Sequence, residues 1–276
     1  MADNYLITGY WGEPHVTAEN DRGINAAMFG TGRFVLPVGR QFEAAYIGNN
    51  TIRLYDGKLM DNGAAAGIPA GEYVDLLIAN AGQGKKRNDL IVFQYSQDAS
   101  TLIESGKFVV IQGEETSGTA SDPVLTQEDL LSGNATFDQM PLYRVSVSGA
   151  TIAAPTRVAE VEWANPPMIM GEEYRTTERW NGNPVYTKLL DCGKLPNATH
   201  KDVSIGVTIS DVVFCGVIAT DTANNWRYQL PYIATSEDAP VRCHACVVGN
   251  VLRIFAANGY DASGFTGKAI LKYTKY

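Results

Sequence analysis

Three histidines, four cysteines and a few adjacent carboxylates are the residues of this chain best suited to chemistry. Their spacing argues against catalysis. His15, His200 and His244 fall in no H-x-x-x-H or H-E-x-x-H pattern, and neither G-x-S-x-G nor a P-loop occurs. An enzyme would need a nucleophile with its base, a metal cluster or a positioned acid/base pair. His15 follows Pro14 and reads as a hydrogen-bonded structural imidazole. The pairs Glu114-Glu115, Glu172-Glu173 and Glu237-Asp238 all lie in loop-like sequence. Glycoside hydrolysis needs two carboxyls held across a sugar, whereas adjacent loop acids read as solvated turns. No catalytic residue is expected.

Cys243-His244-Ala245-Cys246 spells C-x-x-C, the spacing of a zinc knuckle or redox pair. Its flanks, from Val241 to Val248, read as a strand. There Cys243 and Cys246 point to opposite faces, because strand side chains alternate. Buried structural thiols are therefore preferred to a metal site. Cys192 and Cys215 complete a set too sparse for a disulfide framework in a chain of 276 residues. No metal and no cofactor is expected.

Binding is the better chemistry to seek. A sugar site combines an aromatic face with Asn, Asp or Arg for the hydroxyls. Two stretches hold that mixture: Asp221 to Tyr228, with Asn224, Trp226 and Arg227, and Asn258 to Asp261, with Tyr260 and Asp261. Both fall where strands meet loops, where recognition residues gather. A core reading competes. Trp226, Tyr228, Leu230 and Tyr232 share one strand face if alternation survives Pro231. Large aromatics are mostly buried, which favours core for Trp226. Tyr260, in a Gly-bearing loop, is open to either reading.

The elements that must position these residues are mainly strands. Hydrophobic residues are 45% and charged ones 19%, with Gly and Tyr abundant, which fits short strands and turns better than surface helices. One helix is expected over Ala18 to Phe29, capped by Thr17 and ended by Gly30, and a short one from Thr126 to Gly133. Strands are expected at Arg33–Val38, Gln41–Ile47 and Thr51–Tyr55, with Asp56-Gly57 as a hairpin turn returning through Lys58–Met60. Further strands follow at Tyr73–Ala79, Asp89–Tyr95, Phe108–Gln112 and Leu142–Val147. Arg87 and Asp89, two apart, share a face and can pair; alternatively Arg87 ends the basic loop Lys85-Lys86-Arg87.

Pro155 to Gly171, with Pro166-Pro167, reads as a stiff connector. Beyond it lie Val185–Cys192, Val203–Ile209, Val212–Ala219, Trp226–Ala234, Val241–Val248, Val251–Ala257 and Lys268–Tyr276. Gly249-Asn250 sits at two-residue hairpin spacing. Such a run of short strands points to an antiparallel β-sandwich or jelly roll. The chain is therefore expected to be mainly β with two domains. Residues 1–155 would form a β-rich domain with one or two short helices, 156–175 a linker and 176–276 a sandwich or jelly-roll domain.

The net charge of −8 lies wholly in residues 1–155; the remainder is neutral. An acidic half argues against a nucleic-acid partner. A neutral half fits an uncharged ligand such as a glycan, or an oligomer interface. No apolar run approaches the ~20 residues of a membrane span. Met1-Ala2-Asp3-Asn4-Tyr5 lacks a basic n-region, so no signal peptide is expected. The Asn-x-Thr triplets at Asn49, Asn134 and Asn197 then read as chance matches.

Arg179 to Asn197, RWNGNPVYTKLLDCGKLPN, resembles the opening of the C-terminal head domain of phage tail fibres and receptor-binding proteins. Ala269 to Tyr276 resembles the closing strand of such heads. Gly12 to Thr17, Arg87 to Val92 and Met140 to Val145 are similar, in that order, to the N-terminal region of tail or baseplate proteins from phages of Gram-positive bacteria. The resemblance implies a virion tail protein made in the bacterial cytoplasm and not an enzyme. It implies an N-terminal domain docked on other tail or baseplate proteins, and a homotrimeric head that binds a host-surface ligand, most naturally a carbohydrate. A tail-associated glycan hydrolase or lyase and a purely structural baseplate component are the alternatives.

Overall fold

A computed structural model describes residues 17–224, 226–233 and 241–276. His15, the segment Gly12 to Val16 and the pair Glu237-Asp238 lie outside the described residues, as do the side chains of Tyr232, Ile233 and Val241. The protein is mainly β, with one helix among the described residues, and divides into two compact units, Met1–Glu162 and Trp163–Tyr276.

The first unit begins with helix α1 (Ala18–Phe29). The Thr17 hydroxyl accepts from the Asn20 main-chain N–H at 3.2 Å, and Gly30 ends the helix with φ +88°. Sequence and structure agree here because the end signals are local. The strands that follow are β1 (Arg33–Leu36), β2 (Ala44–Tyr46), β3 (Thr51–Asp61), β4 (Ala64–Leu77), β5 (Lys86–Gln97), β6 (Glu104–Ile111), β7 (Phe137–Ser148), β8 (Thr151–Ile152) and β9 (Thr156–Arg157). β3 pairs antiparallel with β1, β2 and β4, while β5 lies between β6 and β7 in a second sheet. The two sheets share one core. Val35, Ile52, Leu54 and Leu59 of the first meet Ile91, Phe93, Leu142 and Val145 of the second.

Several local expectations fail. The strand expected from Gln41 begins only at Ala44, since Gln41 and Phe42 sit in a turn with φ +53° and +54°. Asp56-Gly57 is no turn: β3 runs through it with a bulge between Tyr55 and Gly57. A Cβ on Gly57 would lie 2.5 Å from the main-chain nitrogen of Phe42, so this glycine permits a close approach. The hairpin turn is Asn62-Gly63, with φ +44° and +82°, the left-handed pair that a two-residue turn requires. The helix expected over 126–133 is also absent. Its acidic residues satisfy other groups: the Glu128 side chain accepts from Thr136 N at 2.8 Å and Phe137 N at 3.2 Å. Asp129 instead accepts from Leu131 N at 3.0 Å.

The division at Glu162/Trp163 falls within the segment expected to be a linker. Its residues are paired on either side. Arg157, in β9, donates to the Gln41 carbonyl at 2.6 Å, and Trp163 packs edge-on against Tyr174 at 5.6 Å.

The second unit contains β10 (Glu162–Trp163, shared with the division), β11 (Glu173–Trp180), β12 (Asn183–Lys194), β13 (His200–Ser204), β14 (Asp211–Asp221), β15 (Arg227–Gln229), β16 (Tyr232–Ile233), β17 (Val241–Val248), β18 (Val251–Ala256) and β19 (Phe265–Thr274). Six form a sheet in the order β10-β11-β12-β19-β14-β15; four form another, β13-β18-β17-β16. Both feed one core: Leu190, Val217, Ala269 and Leu271 from the first, Cys243, Leu252 and Ile254 from the second. Gly249-Asn250 does join β17 to β18, with Val248 opposite Val251 and Gly249 at φ +56°. The strand expected from Trp226 to Ala234 is broken. It splits at Leu230-Pro231, with β15 in the larger sheet and β16 in the smaller. Proline has no N–H for a ladder, so alternation does not survive it.

A candidate ligand-binding groove on the six-stranded sheet

Strand alternation sets two faces on β14 and β19. Val217, Ala219, Ala269, Leu271 and Tyr273 are buried in the core. Between them Phe214, Gly216, Ile218 and Thr220 on β14, and Thr266, Lys268 and Ile270 on β19, face the other way. Register lines these up in rows across the strands. Leu189, Ile270 and Gly216 form one row; Lys268, Ile218 and Gln229 the next; Thr266, Thr220 and Arg227 the third. Together with Phe214 they line an open groove of about 580 Å³. Phe214 (47% exposed) lies over Gly216, where an added Cβ would stand 2.8 Å from its ring. A phenyl wall, an aliphatic floor of Ile218 and Ile270, and a rim of Arg227, Gln229, Thr220 and Lys268 combine apolar contact with directional donors and acceptors.

Arg227 stands apart in its bonding. Arg22, Arg33, Arg40, Arg53, Arg87, Arg144 and Arg253 pair with carboxylates. Arg157 and Arg179 bind carbonyls, Arg242 lies over the Tyr260 ring, and Arg175 is engaged as well. The guanidinium of Arg227 has no partner among the described residues. A planar five-donor group left open at a groove rim suits recognition of an oxygen-rich ligand.

The five residues picked from the sequence do not converge. Arg227 alone lines the groove. Trp226 is 63% exposed, which corrects the core reading for it: it precedes β15 and lies beyond the covered part of the sheet. Its ring meets Tyr228 edge-on at 6.4 Å, and Tyr228 meets Phe265 at 5.9 Å. Tyr260 is half-buried and lines the same inner crevice as Tyr228 and Cys243. Trp226, packed with Tyr228, and Arg227, at the groove, thus serve different places despite being adjacent.

Asn224 and Asp261 build turns. Asn224 Nδ2 donates to Asp221 Oδ2 at 3.0 Å, and Asp221 Oδ1 accepts from Ala223 N at 2.8 Å. The Asn224 amide, followed by these main-chain N–H groups, holds the Asp221 carboxyl below the usual range. Asp261 Oδ1 accepts from Ser263 N at 2.8 Å, and its carboxyl is lowered by the Ser263 hydroxyl and then by that N–H. The groove residues missed from the sequence had a signal, the apolar alternation of Phe214, Ile218 and Ile270. It reads equally as a second core face until the register is known.

The remaining chemical candidates lie apart from the groove lining. Cys243 is buried and Cys246 exposed, as alternation on β17 requires; the expectation that both are buried thiols fails at Cys246. The paired glutamates are not simply solvated. Glu115 accepts from Gly82 N at 3.2 Å and from Arg87 at 3.1 Å. Glu173 accepts from Lys275 at 2.7 Å and from the Tyr273 hydroxyl. Burial, then Glu173, raises the Tyr273 phenol. Arg87 and Asp89 do pair, with Nε to Oδ1 at 2.8 Å and Nη2 to Oδ2 at 3.1 Å, both side chains essentially buried. No helix among the described residues is long and apolar enough to cross a membrane. No family model matches the chain, and no curated protein matches it.

Proposed function

We propose that this protein is a phage or prophage tail component that attaches the virion to a host-surface carbohydrate, and that it binds without turnover. The second unit is then the receptor-binding head, an antiparallel β-sandwich, and the first docks on the tail or baseplate. The observation that carries the reading is the groove on β12, β14, β15 and β19, where the open Arg227 guanidinium stands beside apolar surface. A pyranose presents the same mixture, an apolar face edged by hydroxyls.

The segment that resembles tail heads supports it. Arg179 to Asn197 runs from the end of β11 through β12, and the turn between them, Asn181-Gly182, has φ +49° and +81°. The closing segment forms β19, between β12 and β14. Trp180 ties the hairpin to β14 through Nε1 to Asp211 Oδ2 at 2.9 Å.

A homotrimer is part of the proposal. Trp180 and Val212, exposed outside the groove, are apolar surface that subunit contact would cover. The same surface favours a second reading, a structural baseplate component that uses this face for assembly. Probing an array of bacterial surface polysaccharides with the intact protein separates the two. Selective binding without cleavage is expected; binding to none, with assembly onto tail proteins retained, overturns the attachment reading. Light scattering tests the trimer, which predicts a mass about three times the 29.9 kDa chain.

A further inference from the structure

In the first unit two buried carboxylates share one cation. Asp61 on β3 and Asp138 on β7 are fully buried. Arg33, which faces Asp61 across the β1–β3 ladder, lies with Nε 3.1 Å from Asp61 Oδ1 and Nη2 2.7 Å from Asp138 Oδ1. Asp138 Oδ1 also accepts from Glu128 N at 2.6 Å, and Arg33 Nη2 donates to the Glu128 carbonyl at 2.8 Å. One carboxylate oxygen is thus well satisfied. Asp138 Oδ2 and both oxygens of Asp61 have no donor among the described residues. Two adjacent buried acids with one guanidinium cannot both be ionised at low cost.

We propose that Asp61 holds a proton at neutral pH beside Arg33 and Asp138, forming a proton-dependent latch between β1, β3, β7 and the segment at Glu128. The assignment follows the hydrogen bonds. Asp138 Oδ1 accepts a charged and a main-chain donor, whereas neither oxygen of Asp61 has a donor and only the misaligned Nε–H of Arg33 lies nearby. A proton on Asp61 can be donated to the Asp138 carboxyl, which acts directly on it. A divalent cation is the poorer occupant, because the Arg33 guanidinium already stands against both carboxyls. The carboxylate of Glu128 is turned to Thr136 N and Phe137 N, and that of Asp129 to Leu131 N. Arg33 and Asp138 are the charged groups that act on Asp61.

Burial, then the Asp138 hydrogen bond and charge, push the Asp61 carboxyl up to about 8, against the opposing pull of Arg33. The sign follows. An unfolded chain releases this proton near pH ~4, while the folded chain keeps it until about 8. Below the lower value the group adds no pH dependence. Between the two the folded state holds the extra proton, so stability falls as pH rises.

The test is thermal unfolding of the intact chain from about pH 5 to about pH 9, for wild type, Asp61→Asn and Asp138→Asn. Asp61→Asn retains a neutral donor, so its midpoint should rise relative to wild type as pH increases, by ~4 °C or more at the upper end. Asp138→Asn, which removes the paired charge, should fall below wild type throughout. Parallel curves for wild type and Asp61→Asn overturn the proposal. An infrared carbonyl band of a protonated carboxyl at neutral pH, lost in Asp61→Asn, is expected of the folded protein. Absence of that band in wild type overturns the proposal without reliance on any variant. Calcium or manganese should leave the wild-type midpoint unchanged; a metal-dependent rise lost in Asp61→Asn would assign the pair to a cation instead.

Discussion

In the first unit charge is turned inward. Arg87 is wholly buried against Asp89 and is braced by the Asn80 carbonyl at 3.0 Å and by Glu115; Arg33 reaches between two buried aspartates. In the second unit Arg227 lies at the rim of an apolar groove with no partner among the described residues. Both units are built from two sheets around one core, so the contrast lies in what each leaves unmatched. The first spends its charges on fixing its own segments, as Arg87 does when it ties β5 to the loop at 79–80. The second keeps an apolar face and an open guanidinium toward solvent, a condition that is useful where something else completes it.

Breaking the inward charge should have the largest effect. Arg87→Ala strands Asp89 in the core and should cost about 3–5 kcal/mol in denaturant unfolding. The double change Arg87→Met with Asp89→Leu should recover most of that loss. If the single change costs no more than a surface ion pair, about 1 kcal/mol or less, the first unit does not depend on buried charge.

A smaller loss should follow from Gly57→Ala. The new methyl would press on the Phe42 main chain at the β3 bulge, and overpacking of that kind costs about 1–3 kcal/mol. An equivalent methyl at Gly249, where nothing lies within 4 Å, meets only the left-handed φ and should cost less.

The mildest probe leaves the fold intact. A thiol reagent at neutral pH should label Cys246 quickly. Cys192 should lag far behind, since burial, then Asp191, pushes its thiol up to about 11. Burial raises Cys215 and Cys243 as well, so raising pH should speed their labelling late. Rapid labelling of Cys243 would show that the inner face of β17 is open.

Where an element is set by adjacent residues, the sequence shows it. Thr17 and Gly30 delimit α1, and Gly249-Asn250 joins β17 to β18. Where a tertiary contact decides, the local signal misleads. Asp56-Gly57 looks like a turn but is a bulge that admits Phe42. Thr126 to Gly133 has helical spacing, yet Glu128 serves main-chain donors at 136 and 137 and Asp129 closes a local turn at Leu131. The site was legible only in part. Arg227 was in reach because a polar-aromatic cluster at a strand end suggests recognition. Phe214, Ile218, Lys268 and Ile270 were not, since only the β12–β19–β14–β15 register places them in one groove. Trp226, adjacent to Arg227 in sequence, packs with Tyr228 and does not line that groove.

The most direct test is the affinity of the intact protein for a polysaccharide that it binds on the array, measured for wild type, Arg227→Ala and Trp226→Ala. The account predicts at least a tenfold loss, about 1.4 kcal/mol, for Arg227→Ala with thermal stability unchanged, and a smaller loss for Trp226→Ala. Full affinity in Arg227→Ala with loss confined to Trp226→Ala would contradict it and move recognition to the aromatic end of the sheet.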